Sequence, residues 1–126
     1  MRGHKGMNCE DKSISRFCAA LTVFREEWEN IPCHVAQSFL TVAEPAAAGS
    51  PLSVEEFYQR VGLPRASARS NIAILARGRP RRVGGKEAGA RLLIKLEQDS
   101  KDPRSKRILL TQQGRAFYKR LVTVMV

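Results

Sequence analysis

The sequence predicts a mainly helical fold carrying one small β-hairpin, an α+β arrangement. Three observations lead there. Apolar residues recur at three- and four-residue spacing over most of the chain, the period changes to two near residue 90, and it returns to a helical one after residue 111. At 126 residues with 43% hydrophobic content, the chain is long enough for a core of its own and too apolar for wholesale disorder.

Residues 1–11 read as a flexible basic start, and residues 12–126 as a single domain. Over 12–28, Ile14, Phe17, Cys18, Leu21, Phe24 and Trp28 make the stripe of an amphipathic helix, with Cys18 as a small core residue. A second helix is expected with Asn30 as its cap and Pro32 in its first turn. Its stripe is Val35, Phe39 and Val42, and Pro45 with Gly49 should close it. Trp28, Phe24 and Phe39 read as core rather than as a ligand cage.

In "SVEEFYQRVG", Ser53 and Glu56 are spaced as a capping box, and Gly62 suits the left-handed position that ends a helix. The turn "GLP" leads into "RASARSNIAILARG", a helix over about 65–77. Ala68, Ile72 and Leu75 should face inward, with Ser67, Ser70 and Arg77 opposite and Arg65 and Arg69 flanking them. "RPRRVGGKEAG" reads as a mobile basic connection. "ARLLIKLEQD" and "KRILLT" then alternate as strands, the first placing Leu92, Ile94 and Leu96 on one face and Arg91, Leu93, Lys95 and Glu97 on the other. Ile108 and Leu110 should share a face of the second strand. "SKDPRS" joins the two strands, and Thr111 caps a last helix whose Phe117 and Leu121 return to the core. This element order is a winged helix-turn-helix, with the wing over about 90–111.

Charge supplies the functional lead. The net charge is +10 and it is polarised along the chain. Residues 1–59 hold 5 basic and 8 acidic side chains, residues 60–107 hold 14 and 4, and the remainder adds three cations. A basic half of this kind is the footprint of a protein that meets nucleic acid. No apolar run approaches the ~20 residues that span a bilayer, so no membrane partner is expected. The N-terminus lacks the apolar core of a secretory signal, and three cysteines without a CxxC pair suit a reducing, cytoplasmic setting near the nucleoid. Cys33 and His34 are adjacent and diverge on a helix, and His4 and Cys9 fall in the N-terminal stretch, so neither a metal site nor any cofactor is expected. There is no phosphate-cradling glycine loop, nucleophile elbow or histidine pair, hence no enzyme.

Helix 65–77 would then enter the major groove of double-stranded DNA, using Arg65, Ser67, Arg69, Ser70, Asn71 and Arg77. Arg79, Arg81 and Arg82 would add phosphate contacts. The wing would supply Lys101, Asp102, Arg104, Lys106 and Arg107, with Arg104 at its tip suited to a narrow minor groove.

The run "DPRSKRILLTQQGRAFYKRL" resembles the wing and following helix of the MarR family of regulators, matching Asp-x-Arg and Leu-Thr-x-x-Gly at Asp102, Arg104, Arg107, Leu110, Thr111 and Gly114. Residues 39–75 are similar to that family's helix-turn-helix, and the likeness covers about 31–121. It implies dimeric control of transcription through duplex DNA. It also implies a minor-groove role for Arg104 and a supporting carboxylate at Asp102. The chain departs from the pattern in three places. The Gly78–Gly89 link is long and basic, as in short phage or prophage relatives. Pro64 stands where a hydroxyl side chain caps the recognition helix, and the last helix is short.

The expectation is therefore a sequence-specific regulator, a repressor binding a palindrome as a homodimer, with Phe17, Leu21, Leu121 and Val124 at the dimer interface. Two alternatives use the same fold: a protein-interaction factor that occupies an acidic host or phage transcription protein, and a replication or partition factor that holds DNA.

Overall fold

The computed structural model describes residues 9–77, 81–83, 86–88 and 92–126. Five helices and two antiparallel hairpins follow in the order α1 (Cys9–Glu27), α2 (Cys33–Ala47), α3 (Val54–Val61), α4 (Arg65–Arg77), β1 (Arg81–Val83), β2 (Lys86–Ala88), β3 (Ile94–Gln98), β4 (Lys106–Leu110) and α5 (Gln112–Met125). Contacts divide the chain into two units, residues 1–31 with 117–126, and residues 32–116.

In the first unit, Ala20, Val23, Phe24, Phe117 and Leu121 are buried, and the Phe24 and Phe117 rings meet edge to face with centroids 5.1 Å apart. The stripe expected on α1 divides. Phe24 faces inward as predicted, whereas Ile14, Phe17 and Leu21 are exposed, and so is Cys18, which the helical spacing places in the core. The inward face is instead the small-residue row at Ala20 and Val23, continued by Glu27, whose carboxylate lies 3.7 Å from the Arg120 guanidinium. Residues 9–11, expected to be part of a flexible start, are the first residues of α1; residues 1–8 lie outside the described set.

The second unit is built on α2, which packs against α3, α4 and β4. Val35, Phe39 and Val42 are fully buried, as their spacing predicts. The cap position of α2 is Pro32, not Asn30, and its side chain makes no capping hydrogen bond. Pro45 does not stop the helix, which runs on to Ala47 before Gly49 turns with φ +87°. Pro45 has no N–H for the Thr41 carbonyl one turn back, but the Ala48 N–H donates to Glu44 O at 3.1 Å and the Ser50 N–H to Pro45 O at 2.9 Å, so the helix closes beyond it.

The α3 cap is reciprocal: Glu56 N–H donates to Ser53 Oγ at 3.1 Å and Ser53 N–H to Glu56 Oε1 at 2.9 Å. Gly62 closes α3 in the left-handed conformation at φ +73°. β3 and β4 pair in register from Ile94↔Leu110 to Gln98↔Lys106, and Ile108 and Leu110 are buried on one face. The alternation expected through 92–96 is broken, however. Leu93 and Ile94 are both buried, and Leu92 and Leu96 are exposed. The cause is that Leu93 lies just before the strand and serves as a junction. Its N–H donates to Leu75 O, and its carbonyl accepts the Thr111 N–H, each at 3.2 Å.

The same junction explains Gly114. A Cβ there would lie 1.9 Å from the Leu93 carbonyl oxygen, so only glycine fits. Thr111 caps α5 as expected, its Oγ accepting the Gly114 N–H at 2.9 Å. Residues 81–88, read as a loose link, contain the β1–β2 ribbon, paired Arg81↔Ala88 to Val83↔Lys86.

Candidate nucleic-acid interface

The second unit carries both proposed contact surfaces. In α4, Ala68, Ile72 and Leu75 are buried. Opposite them run Ala66, Arg69, Ser70, Ala73 and Arg77, a stripe at three- and four-residue spacing with Arg69, Ser70 and Arg77 exposed. Side-chain polarity alone does not single out Ala66 and Ala73. Both side chains are small and leave the surface of the helix open to close approach, and their position one turn either side of Arg69 and Ser70 is legible in the spacing.

Asn71, predicted to read bases, does not face outward. It is 1% exposed, and its amide is consumed internally. Nδ2 donates to His34 O at 3.2 Å and to Ser38 Oγ at 3.0 Å, leaving Oδ1 to accept from His34 Nδ1–H at 3.1 Å. Asn71 is one position past Ser70, and a hundred-degree step turns it onto α2. It fixes the roll of α4 on α2 instead.

Ser67 is half-buried. Arg65 is exposed but held, donating to both oxygens of Glu55 and stacking over Tyr58 at 4.5 Å from the ring centroid. The Arg65 guanidinium holds the Glu55 carboxyl below its usual 4.5.

At the wing, residues 99–105 form a turn tied by its own backbone: Asp99 N–H to Ser105 O at 2.9 Å, Asp102 N–H to Asp99 O at 3.2 Å and Ser105 N–H to Asp102 O at 2.9 Å. Asp102 Oδ1 accepts the Arg104 N–H at 3.1 Å, so this carboxylate orients the backbone that presents the arginine. Lys101, Asp102, Arg104 and Lys106 are all exposed. Among the described residues, nothing holds the side chains of Arg69, Arg77 or Arg104 in an ion pair.

Arg107, expected to meet DNA with the rest of the wing, is engaged within the protein. It lies partly buried at the wing base, with Nε donating to Asp99 Oδ2 at 3.2 Å and Nη1 to Pro51 O at 3.1 Å and to Glu56 Oε1 at 3.4 Å. Beside it the Ile108 N–H donates to Leu52 O at 2.8 Å, and Ser53 pairs with Arg107 as an isolated bridge. Nothing in the spacing marks Asp99 and Glu56 as part of the site, since partners 8 and 51 residues from Arg107 leave no periodic trace. The Asp99 carboxyl is held below its ordinary value of 3.8, first by the Lys101 N–H and then by Arg107. The Glu56 carboxyl is likewise held below 4.5, chiefly by the Ser53 N–H.

Arg79 lies outside the described residues, and Arg81 and Arg82 fall on β1, of which only the backbone is described. Of the interface residues expected in the first unit, Phe17 and Leu21 are exposed on α1 and Val124 is partly exposed on α5. Leu121 is 2% exposed and therefore packs within its own chain, leaving no surface for a partner. No helix among the described residues is long and apolar enough to cross a membrane.

No family profile and no curated protein matches the sequence. Among the solved structures that match it, two cover nearly all of the chain. One is the PcaV transcriptional regulator of Streptomyces coelicolor, in complex with its natural ligand. It has a TM-score of 0.51 and 19% identity, over 99% of this chain and 78% of that one. The other is BpsR of Bordetella bronchiseptica, whose DNA binding is regulated by 6-hydroxynicotinic acid. It has a TM-score of 0.50 and 15% identity, over 98% and 78%. Both are MarR-family winged-helix regulators, and this chain is similar to them in fold: five helices with an antiparallel wing hairpin.

Proposed function

We propose that the chain is a sequence-specific transcriptional regulator of double-stranded DNA, a repressor that acts as a homodimer on a palindromic site. The observation that carries this is the pair of basic surfaces in one unit, the outward stripe of α4 and the exposed cations of the wing tip, on a fold similar to two transcriptional regulators. The α4 stripe enters the major groove, with Arg69 and Ser70 at base edges and small neighbours allowing close approach. Arg104 meets the adjacent minor groove, where narrow walls concentrate negative potential. The exposed apolar row of Phe17 and Leu21 on α1 supports an isologous contact between copies. A dimer bound across a promoter excludes polymerase.

Selection of genomic fragments by the purified protein, followed by competition with scrambled duplex across a salt series, tests the reading. One enriched palindromic sequence and a steep loss of affinity with salt are expected. Binding with no sequence preference, together with a stable acidic protein partner in pull-down, would favour the interaction factor instead. For assembly, sedimentation should give a dimer that Phe17→Glu with Leu21→Glu converts to a monomer. A monomer in the unmodified protein, free and on DNA, overturns the homodimer.

A further inference from the structure

We infer that Arg107 is a positioning residue that fastens the wing to the start of α3, rather than one of the side chains that meet DNA. This rests on the proposed DNA-binding role of the wing. Three independent elements converge on one guanidinium: the turn of the wing through Asp99, the chain entering α3 through the Pro51 carbonyl, and the capping box of α3 through Glu56. Its Nη2 also lies 3.1 Å from Asp99 Oδ2, so Nε and Nη2 together grip that oxygen as a fork. The Asp99 side chain is 14% exposed, which makes this the most sheltered carboxylate of the wing and the best placed to hold a cation.

The consequences run outward to Arg104. Asp99 Oδ1 accepts the Lys101 N–H at 2.9 Å, and the Asp99 backbone carries one hydrogen bond to each side of the turn. Fixing Asp99 therefore fixes the turn whose Asp102 orients the Arg104 backbone. At the other end, Glu56 Oε1 accepts from Ser53 N–H and from Arg107 together, so the wing and the first helix of the helix-turn-helix share one oxygen. A wing held this way meets DNA already ordered, and its ordering entropy is not charged against binding. Arginine is the residue for this task, because lysine presents a point charge and cannot fork across partners in different directions.

The experiment uses the full chain and a random-sequence duplex. In DNA-free protein, Arg107→Met should speed hydrogen exchange at the Asp99 and Ser105 amides by roughly tenfold, with α4 amides unchanged. Unchanged wing amides overturn the inference. Arg107→Met should weaken duplex binding roughly two- to tenfold while leaving its salt slope as in the parent. A slope shallower by about one unit, as expected for Arg104→Ala, makes Arg107 a phosphate contact and overturns it.

Arg107→Lys keeps the charge and the fold, and should stay as weak as Arg107→Met; restored binding overturns the inference. Asp99→Asn keeps an acceptor for Lys101 and removes a negative charge. Simple electrostatics has it bind DNA more tightly, whereas a loosened wing has it bind more weakly, and tighter binding overturns the inference. Should the parent fail to bind duplex at low salt, the DNA-binding reading falls. The exchange measurement then still decides whether Arg107 fastens the wing.

Discussion

Arg69 on α4 and Arg107 on the wing carry the same guanidinium within one folded unit, yet their surroundings are opposite. Arg69 stands on an outward stripe with no ion-pair partner among the described residues. Arg107 is gripped by Asp99, Glu56 and the Pro51 carbonyl. A cation left in water beside small residues is available to a polyanion, and one already surrounded by acceptors has to give them up first. Net charge along a sequence counts both alike. Partners separate them, dividing the basic half of the chain into a face that the proposed function offers to DNA and a frame that holds that face.

The largest expected effect lies in the frame. Gly114→Ala places a methyl group 1.9 Å from the Leu93 oxygen and 2.8 Å from its carbonyl carbon, both backbone atoms pinned by the junction of α4, β3 and α5. Overpacking against backbone does not relax by a rotamer change, so a loss upward of about 3 kcal/mol is expected in urea unfolding. A near-neutral result would mean that the junction is looser than its hydrogen bonds imply.

Next in size is Asn71, where the comparison is sharpest because a residue expected on the face belongs to the frame. Asn71→Leu removes three hydrogen bonds to His34 and Ser38 at a buried site. It should cost about 1–3 kcal/mol of stability. Base-pair discrimination per folded molecule should barely move. Lost discrimination at unchanged stability would return Asn71 to the reading surface.

On the face itself, Arg69→Ala should relax choice at one or two base pairs and cost about 1–3 kcal/mol on the preferred site. Arg104→Ala should weaken specific and random duplex alike, with a salt slope shallower by about one. The check is competition between matched and scrambled duplexes at fixed salt. Equal losses on both duplexes for Arg69→Ala would move the reading surface off α4.

What was legible in the sequence follows the same division. The bounds of α4, the capping box at Ser53 and Glu56, the αL glycine at 62 and the buried pair Ile108 and Leu110 rest on interactions among residues a few positions apart, and such spacing is written in the sequence. Contacts between distant segments are not. Leu93 leaves the strand alternation because it bonds to Leu75 and Thr111. Ile14 and Leu21 keep helical spacing yet face outward, since a stripe says which residues share a face and not whether anything covers it. Gly114 was legible as a motif position, and its reason, the backbone of Leu93, was not.

The smallest effect is on acid stability, and it tests the frame as a whole. The carboxyls of Glu55, Glu56 and Asp99 are all held below their ordinary values, by the Arg65 hydrogen bond, the Ser53 N–H and the Lys101 N–H respectively. A carboxyl whose folded value is depressed adds stability that is fully present above its unfolded value and is lost as pH falls through the folded one. Stability should hold down to the ordinary values of 4.5 for the two glutamates and 3.8 for Asp99, then decline below them. Two of the three carboxyls, Glu56 and Asp99, meet Arg107 at the wing base, and the third pairs with Arg65 at the first residue of α4. Hydrogen exchange on descending pH should therefore expose the Asp99 and Ser105 amides before those of Ile72 and Leu75. Glu55→Gln should change little of this, because Glu55 and Arg65 are each more than half exposed and water screens them. Simultaneous loss of protection in wing and helix would mean that the two regions unfold as one, and that the carboxylates at the wing base do not set its stability.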